Sequence, residues 1–209
     1  MPVMSAVEGA FCRSSPWRSF ARRRALPWAL DGHSLVGDVL EIGGGSGAMA
    51  AGVARSYPDV RITITDVDLA MVDAAQARLA GLPNVTVTQA DVTTLPFEDE
   101  RFDAVTSYLM LHHVIEWHEA LVEIGRVLKP GGRFIGYDLT DTPLGRAIHR
   151  ADGSPHRLIA ADELTDGLAV AGFTDVVVRT VWRGHLMRFH AVRSGGRDRA
   201  GDRTDPESC

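Results

Sequence analysis

The chain lacks several features that define specialised classes of protein. No apolar run in its 209 residues is long enough to form a membrane-spanning helix. It has only two cysteines, Cys12 and Cys209, and neither belongs to a C-x-x-C pair, so we expect reduced thiols rather than a disulfide or metal ligands. Lysine and asparagine occur once each, at Lys129 and Asn84, which indicates the codon bias of a GC-rich bacterial genome.

The composition and net charge narrow the possibilities further. Apolar residues make up 45% of the chain and charged residues 23%, values typical of a folded globular protein. With 22 basic and 27 acidic side chains the formal net charge is -5, so the surface as a whole does not favour nucleic acid or anionic lipid. The length suits a single domain with a substantial core.

The first part of the chain, residues 1–30, is basic and poor in acids. A run rich in arginine and serine is also found in organellar transit peptides, and this alternative stays open. The apolar stretch of a secretory signal is missing. We expect a frayed arm followed by a short capping helix around Trp17–Leu30, ahead of a main domain over residues 31–193.

From residue 38 onward, short β-branched or apolar runs alternate with helix-like segments. This alternation predicts an α/β fold with an open, mostly parallel sheet and right-handed crossovers. The predicted order is strand Val39–Ile42, helix Ala48–Tyr57, strand Val60–Thr65, helix Leu69–Leu79, strands Val85–Thr88 and Phe102–Ser107, helix Trp117–Leu128 and strand Arg133–Asp138.

The alternation breaks after Asp138. Residues 139–158 contain two prolines and two glycines, which indicates an irregular insertion that covers a substrate pocket. A helix over Asp162–Ala171 and strands over Thr174–Thr180 and Leu186–Arg193 are expected next, and the short gap between the strands allows only an antiparallel hairpin. The polar tail 194–209 is expected to be disordered.

A glycine-rich loop follows the first predicted strand. Four glycines within Gly43–Gly47 exceed what a tight turn needs, so the loop is expected to let a ligand approach the backbone closely. The spacing Gly43-x-Gly45-x-x-Ala48 also fits the loose dinucleotide fingerprint. Asp66 lies about twenty residues further on and suits a ribose, so these residues alone fit either NAD or another adenosine cofactor.

Acidic residues end three successive predicted strands, at Glu41, Asp66 and Asp91. A pyrophosphate is disfavoured in such an anionic crevice, whereas a cofactor with a cationic sulfonium and an ammonium is tolerated. Asp91 is positioned to accept a hydrogen bond from an adenine amino group, although it also fits a turn cap. Asp68 is better explained as the N-cap of the following helix.

These motifs resemble, in order and spacing, those of class I S-adenosylmethionine-dependent methyltransferases. The likeness covers residues 37–138 and is strongest to the small-molecule branch typified by quinone-biosynthesis enzymes. The matching segments are Val39–Gly47, Thr65–Met71, Ala90–Phe97, Phe102–Val105 with Leu111–Val114, and Arg126–Gly132.

The resemblance implies a Rossmann-like sheet of seven strands whose last strand is antiparallel, with helices on both faces. It also implies S-adenosylmethionine as cofactor, S-adenosylhomocysteine as product, and a small-molecule methyl acceptor whose identity the sequence does not give. The implied cofactor-binding residues are Glu41 (supporting the loop), Gly43, Gly44, Gly45 and Gly47 (methionine portion), Asp66 (ribose), Val67, Ala90, Asp91 and Val92 (adenine), and Ser107 and Tyr108 (methionine portion).

Three histidines follow the fourth predicted strand and are candidates for a general base. His112, His113 and His118 have the residue type whose pKa suits proton removal near neutral pH. The alternative is that His112 and His113 are scaffold residues, since methyl transfer does not always need a base. No metal site is expected, because adjacent histidines point in different directions.

Two other classes compete with the methyltransferase assignment. An NAD-dependent oxidoreductase is expected to carry a Tyr-x-x-x-Lys pair, but Gly125 occupies the tyrosine position relative to Lys129. A non-catalytic cofactor-binding protein is the other alternative. We expect a cytoplasmic enzyme that acts on a small metabolite rather than on nucleic acid.

Overall fold

The computed structural model describes residues 19–143, 145–147 and 156–195. The predictions for most of the N-terminal arm, for the middle of the insertion with His149, and for nearly all of the tail lie outside these residues. The proposed division into arm, domain and tail therefore stays a prediction. Within the described residues, no helix is long and apolar enough to cross a membrane.

Seven strands form one sheet in the order β3-β2-β1-β4-β5-β7-β6. β7 pairs antiparallel with both β5 and β6, while the pairs among β1 to β5 are parallel, as predicted. The strands are β1 Asp38–Ile42, β2 Arg61–Asp66, β3 Val85–Gln89, β4 Phe102–Tyr108, β5 Leu128–Leu139, β6 Phe173–Val181 and β7 Leu186–Arg193.

Helices cover both faces of the sheet. A π-helical stretch, Ala21–Ala25, leads directly into the short α1, so the described part of the segment Trp17–Leu30 is helical, and its capping role stays a prediction. Pro58 follows α2, and α3 begins at its N-cap Asp68. The helices are α1 Leu26–Leu30, α2 Ala48–Ser56, α3 Leu69–Leu79, α4 Trp117–Val127 and α5 Ala161–Val170.

Two apolar layers hold the helices to the sheet. Trp117 and Ile124 of α4 pack with Phe134 on one face, in a layer that also includes residues of α5. Leu30 of α1 and Val53 of α2 belong to the layer on the opposite face. Burial of both faces explains why the central strands are almost continuously apolar.

β5 starts five residues earlier than the sequence predicts. Leu128 already pairs with Phe102, and regular pairing resumes only at Arg133. The intervening residues bulge out of the ladder, and Gly131 takes a positive φ of 77° there. Pro130 and the glycines therefore interrupt the strand rather than separate the helix from it.

The insertion and the last hairpin meet at the carboxyl edge of the sheet. Residues 182–184 form the turn of this hairpin. The Thr140 N–H donates to the His185 carbonyl at 3.2 Å, and Thr140 forms a bridge with Ile159. The two ends of the insertion are thus brought together beside β7.

Candidate functional site

A cavity lies where the parallel strands end. The register of β1 with β2 and β4 brings the loops after these strands to the same edge of the sheet. The cavity wall includes Gly43, Thr65, Asp66, Val67, Asp68, Ala90, Val92, Leu109, Met110 and His113. Five residues that the sequence assigns to the cofactor and one candidate base therefore share one wall.

The glycines of the loop serve different purposes. Gly43, Gly45 and Gly47 all have positive φ, which strains any other residue. A Cβ on Gly43 would collide with Met110, and one on Gly47 would meet Leu79 at 2.7 Å. Nothing lies within 4 Å of a Cβ on Gly45, so only this turn of the loop is open.

Gly44 does not have a positive φ, but it is equally constrained. A Cβ there would lie 2.4 Å from Ile64 and 2.9 Å from Glu41 Oε1. The loop therefore packs directly on side chains of both β1 and β2.

Asp66 connects the end of β2 to the glycine loop. Its Oδ2 accepts a hydrogen bond from the Gly45 N–H at 2.8 Å, and its Oδ1 accepts one from the Asp68 N–H at 3.0 Å. Burial raises the pKa of this carboxyl, and the two backbone hydrogen bonds oppose the shift. The sequence indicates the ribose role for Asp66 but gives no sign that it also fastens the loop.

Glu41 is buried beneath the loop, with only 1% of its surface exposed. Burial raises the pKa of its carboxyl to about 8, against the lowering effect of a hydrogen bond from the Ala50 backbone. Its Oε2 has no hydrogen-bond partner among the described residues. The carboxyl is therefore largely protonated at neutral pH, and the crevice carries less negative charge than a count of its acids indicates.

The residues at the end of β4 differ in their access to the cavity. Ser107 and Tyr108 are buried and are not on its wall, whereas Leu109 and Met110 are. Burial, followed by the charge of Glu41, raises the pKa of Tyr108. Sequence reasoning missed Leu109, whose φ of 55° is rare for a residue other than glycine.

The two aspartates near the predicted adenine site have local partners. Asp91 Oδ1 accepts hydrogen bonds from the Thr93 N–H at 2.9 Å and the Thr93 hydroxyl at 2.7 Å. Asp91 is not on the cavity wall, although its neighbours Ala90 and Val92 are. Its contact with adenine stays a prediction. Asp68 accepts from the Ala70 N–H at 2.8 Å, which confirms the predicted N-cap.

Arg126 anchors the loop Leu95–Phe97, which follows the cavity residues Ala90 and Val92. Its guanidinium donates to the carbonyls of Leu95 and Phe97, at 2.9 and 2.7 Å. It also pairs with Glu123, whose Oε2 accepts the Leu95 N–H at 2.8 Å. The motif that ends α4 thus stabilises a loop about thirty residues earlier in the chain.

The three candidate histidines have different surroundings. His113 lies on the cavity wall, and His112 is buried and hydrogen-bonded to Asp138. His118 is exposed, and its ring packs on Trp117. In the part of the chain that the structure describes, no group of three or more metal-ligating side chains could hold an ion.

Two tryptophans differ in their exposure. Trp117 fills the core, whereas Trp182 is 70% exposed at the hairpin turn. Arg157 of the insertion forms an ion pair with Glu163.

The strand order and the glycine loop beside an acidic β2 end define a Rossmann-like protein of the class I methyltransferase type. The family model described as a methyltransferase domain matches residues 40–136. The chain belongs to the S-adenosylmethionine-dependent methyltransferases, and it is an enzyme of that family.

Named relatives support this membership. The ubiquinone/menaquinone biosynthesis C-methyltransferase UbiE of Desulfotalea psychrophila is 32% identical over 77% of this chain and 72% of its own length. The demethylmenaquinone methyltransferase of Clavibacter sepedonicus is 29% identical over 88% of this chain and 82% of its own.

Solved structures share the fold. The Haemonchus contortus phosphoethanolamine N-methyltransferase 2, in complex with phosphomonomethylethanolamine and S-adenosylhomocysteine, superposes with a TM-score of 0.70 at 17% identity. The match covers 82% of this chain and 52% of that one.

The residues at the cavity fit S-adenosylmethionine. The open face of Gly45 leaves room beside the loop, and Asp66 supplies a carboxylate next to it. Glu41 lies buried below the loop, but its raised pKa leaves it largely uncharged, so it does not provide a negative charge for the sulfonium. The acceptor that the cavity wall offers to a ribose is the carboxylate of Asp66.

Proposed function

We propose that this protein transfers the methyl group of S-adenosylmethionine to a ring carbon of a small quinol-type acceptor. The observation that carries the proposal is that Gly43, Asp66 and His113 share the wall of one cavity. Carbon as the accepting atom is supported by the Desulfotalea psychrophila relative, whose name states C-methylation, and a quinol-type acceptor by the name of the Clavibacter sepedonicus relative, a demethylmenaquinone methyltransferase.

The cofactor would be held along the carboxyl edge of the sheet. Asp66 would bind the ribose, and Val67 and Val92, which lie on the cavity wall, would pack on the adenine. The methionine portion would lie over the open turn at Gly45, close to Glu41. Asp91, whose Oδ1 accepts both hydrogen bonds from Thr93, would accept the adenine amino group through its carboxylate.

Bound S-adenosylmethionine supplies an activated methyl carbon, whose bond to sulfur breaks with the electron pair left on sulfur as the bond to the acceptor forms. The cavity walls would align the acceptor with this carbon, and alignment can supply up to roughly 7–11 kcal/mol of the acceleration.

His113 would supply the proton chemistry. Its imidazole would take a proton from a quinol hydroxyl, which makes the adjacent ring carbon a better nucleophile. The ring proton at the methylated carbon would leave to solvent when aromaticity returns, and the quinol oxygen would take back the proton held by His113, which restores the neutral imidazole.

An acceptor panel tests the proposal. We would incubate the protein with S-adenosylmethionine and a short-chain demethylmenaquinol, a catechol or phosphoethanolamine, and measure S-adenosylhomocysteine and the methylated product by mass spectrometry. We expect a C-methylated quinol. Methylation of the catechol oxygen or of the amine alone would overturn the carbon assignment, and no transfer to any acceptor would leave a binding-only protein.

The histidine assignment has its own comparison. We expect His113→Ala to reduce turnover about 10²–10⁴-fold while S-adenosylhomocysteine affinity is retained. His118→Ala is the matched control, because His118 is exposed and away from the cavity wall. Equal turnover by the two variants would show that His113 is not a base.

We also propose a cytoplasmic enzyme, as expected of two reduced cysteines, and one with no nucleic-acid partner, which the net charge of -5 supports. Cell fractionation and a mobility-shift assay with transfer RNA would check both statements.

A further inference from the structure

One buried carboxylate joins the ends of β4 and β5 beside the cavity. Asp138, the penultimate residue of β5, is only 1% exposed. Its Oδ1 accepts hydrogen bonds from His112 Nδ1 and, at 2.7 Å, from the Leu139 N–H. Its Oδ2 accepts one from the His112 N–H at 3.2 Å. Three N–H donors therefore satisfy an acid that would be costly to bury alone.

The bond to the imidazole has a chemical consequence. A carboxylate that accepts from Nδ1 selects the tautomer with its hydrogen on Nδ1, and it leaves Nε2 as the basic nitrogen. The second bond, from the backbone N–H of the same residue, fixes His112 relative to the carboxylate at two points. The ring can neither flip nor exchange its proton between nitrogens without breaking the buried pair.

The pair of His112 and Asp138 is connected to the cavity through His113. The rings of His112 and His113 lie 4.1 Å apart, centroid to centroid, at 42°. His113 is on the cavity wall, so the orientation of one ring limits that of the other.

His112 and His113 lie in a 3₁₀ turn, Leu111–His113, and the backbone just before this turn is strained, which fits a segment held in place by tertiary contacts. Leu109 has a φ of 55°, and its N–H donates to the Tyr137 carbonyl at 2.9 Å. A residue other than glycine keeps such a conformation only where its surroundings enforce it. β5 thus holds the start of the turn through Tyr137 and its end through Asp138.

We propose that Asp138 is a positioning residue for methyl transfer, which fixes the Nδ1–H tautomer of His112 and thereby sets the His113 ring at the cavity wall. This inference rests on the proposed function, because it assigns the wall at His113 to the reacting groups. A purely structural carboxylate would affect stability and cofactor binding together. A positioning residue affects turnover while cofactor binding is retained.

The tautomer is measurable without any acceptor. Nitrogen NMR of the full chain, labelled at histidine and assigned with a His112→Gln variant, distinguishes the protonated from the basic ring nitrogen. We expect His112 to carry its hydrogen on Nδ1 in the wild-type protein and to lose this preference in Asp138→Asn. A wild-type His112 protonated on Nε2 alone would overturn the inference, whether or not the variant folds.

Turnover and binding give the second readout. We expect Asp138→Asn to lower kcat for the demethylmenaquinol about 10²–10³-fold, within the range for general-base catalysis, while the calorimetric Kd for S-adenosylhomocysteine changes less than about threefold. Asp166→Asn is the matched control, because Asp166 is an exposed aspartate of α5 and is not on the cavity wall. It is expected to keep wild-type turnover.

Two results would count against a positioning role. Unchanged kcat in Asp138→Asn would overturn it, and so would parallel losses of kcat, S-adenosylhomocysteine affinity and melting temperature. Failure of the wild-type protein to bind S-adenosylhomocysteine would instead overturn the proposed function, and the tautomer experiment would still decide the state of His112.

Discussion

At the scale of single residues, Asp66 has two tasks that a substitution can separate. It holds the Gly45 amide at 2.8 Å and is proposed to bind the ribose. We expect Asp66→Ala to weaken S-adenosylhomocysteine binding by about 1–3 kcal/mol, because charge-assisted hydrogen bonds are lost. Asp66→Asn keeps one acceptor oxygen and is expected to lose less. Titration calorimetry measures both, and wild-type affinity in the alanine variant would remove Asp66 from the ribose site.

Glu41 gives the unliganded protein a specific dependence on pH. Burial gives its carboxyl a pKa of about 8 in the folded chain, against an ordinary value of 4.5. Between these values the folded state holds a proton that the unfolded state has released, so the free energy of unfolding falls as pH rises, by up to ~1.4 kcal/mol per pH unit. Below 4.5 both states are protonated, and this contribution to the slope disappears.

Replacing Glu41 with glutamine tests this account. We expect Glu41→Gln to flatten the fall in the free energy of unfolding between pH 5 and 8, as measured by urea denaturation at several pH values. An identical pH slope in both proteins would show that the buried carboxyl is not the source.

At the scale of elements, the glycine loop offers a matched pair of substitutions. Gly45 and Gly131 both have positive φ, and a Cβ on either would meet nothing within 4 Å. Alanine at either position therefore introduces similar backbone strain, about 1 kcal/mol. Only Gly45 faces the proposed methionine site, since Gly131 lies in the bulge of β5 on the opposite side of the domain from the carboxyl edge.

We expect Gly45→Ala to reduce S-adenosylhomocysteine affinity at least tenfold and Gly131→Ala to leave it unchanged, with similar small losses of melting temperature. Calorimetry and thermal denaturation of both variants check this. Equal affinities would mean that the loop stands away from the cofactor.

Local patterns predicted most elements because their signals are short-range. β-branched runs indicate β2 and β3, Pro58 marks the end of α2 ahead of β2, and the Asp68 cap marks the start of α3 between the two strands. The start of β5 was predicted five residues late because pairing of Leu128 with Phe102 across a bulge depends on the neighbouring strand. The proline and the two glycines at Lys129–Gly132, taken alone, indicate the end of a helix and a turn rather than the start of a strand.

Contacts in the site depend on register and were accordingly harder to predict. The tie between His112 and Asp138 spans 26 residues and exists because Tyr108 is aligned with Tyr137 in the parallel pair. Asp66 was predictable as a strand-end acid, but its bond to Gly45 depends on the positions of both loops in three dimensions. The charge of Glu41 could not be predicted, because its raised pKa results from its burial, and the sequence does not show how deeply this side chain is buried.

At the scale of the whole molecule, the main question for the sheet is which adenosine cofactor it binds. Counting acids at the strand ends favours a cationic cofactor over a pyrophosphate, but the raised pKa of Glu41 weakens that argument. Asp66 stays as the carboxylate on the cavity wall nearest the loop. The assignment of S-adenosylmethionine rather than NAD as the cofactor therefore depends more on the shape of the loop and on family membership than on the negative charge of the cavity.

Thermal stability measured with each cofactor makes this distinction directly. A ligand that binds only the folded state at 100 times its Kd stabilises the protein by about 2.7 kcal/mol, and a domain of this size gains roughly 2–4 °C in Tm per kcal/mol. We therefore expect saturating S-adenosylhomocysteine to raise Tm by about 5–10 °C and NAD at equal concentration to leave it unchanged. Asp66→Ala is expected to need a higher S-adenosylhomocysteine concentration for the same gain, because the carboxylate that holds both the loop and the ribose is missing. A rise in Tm with NAD alone would contradict the methyltransferase assignment, since it would show that the glycine loop accommodates a pyrophosphate.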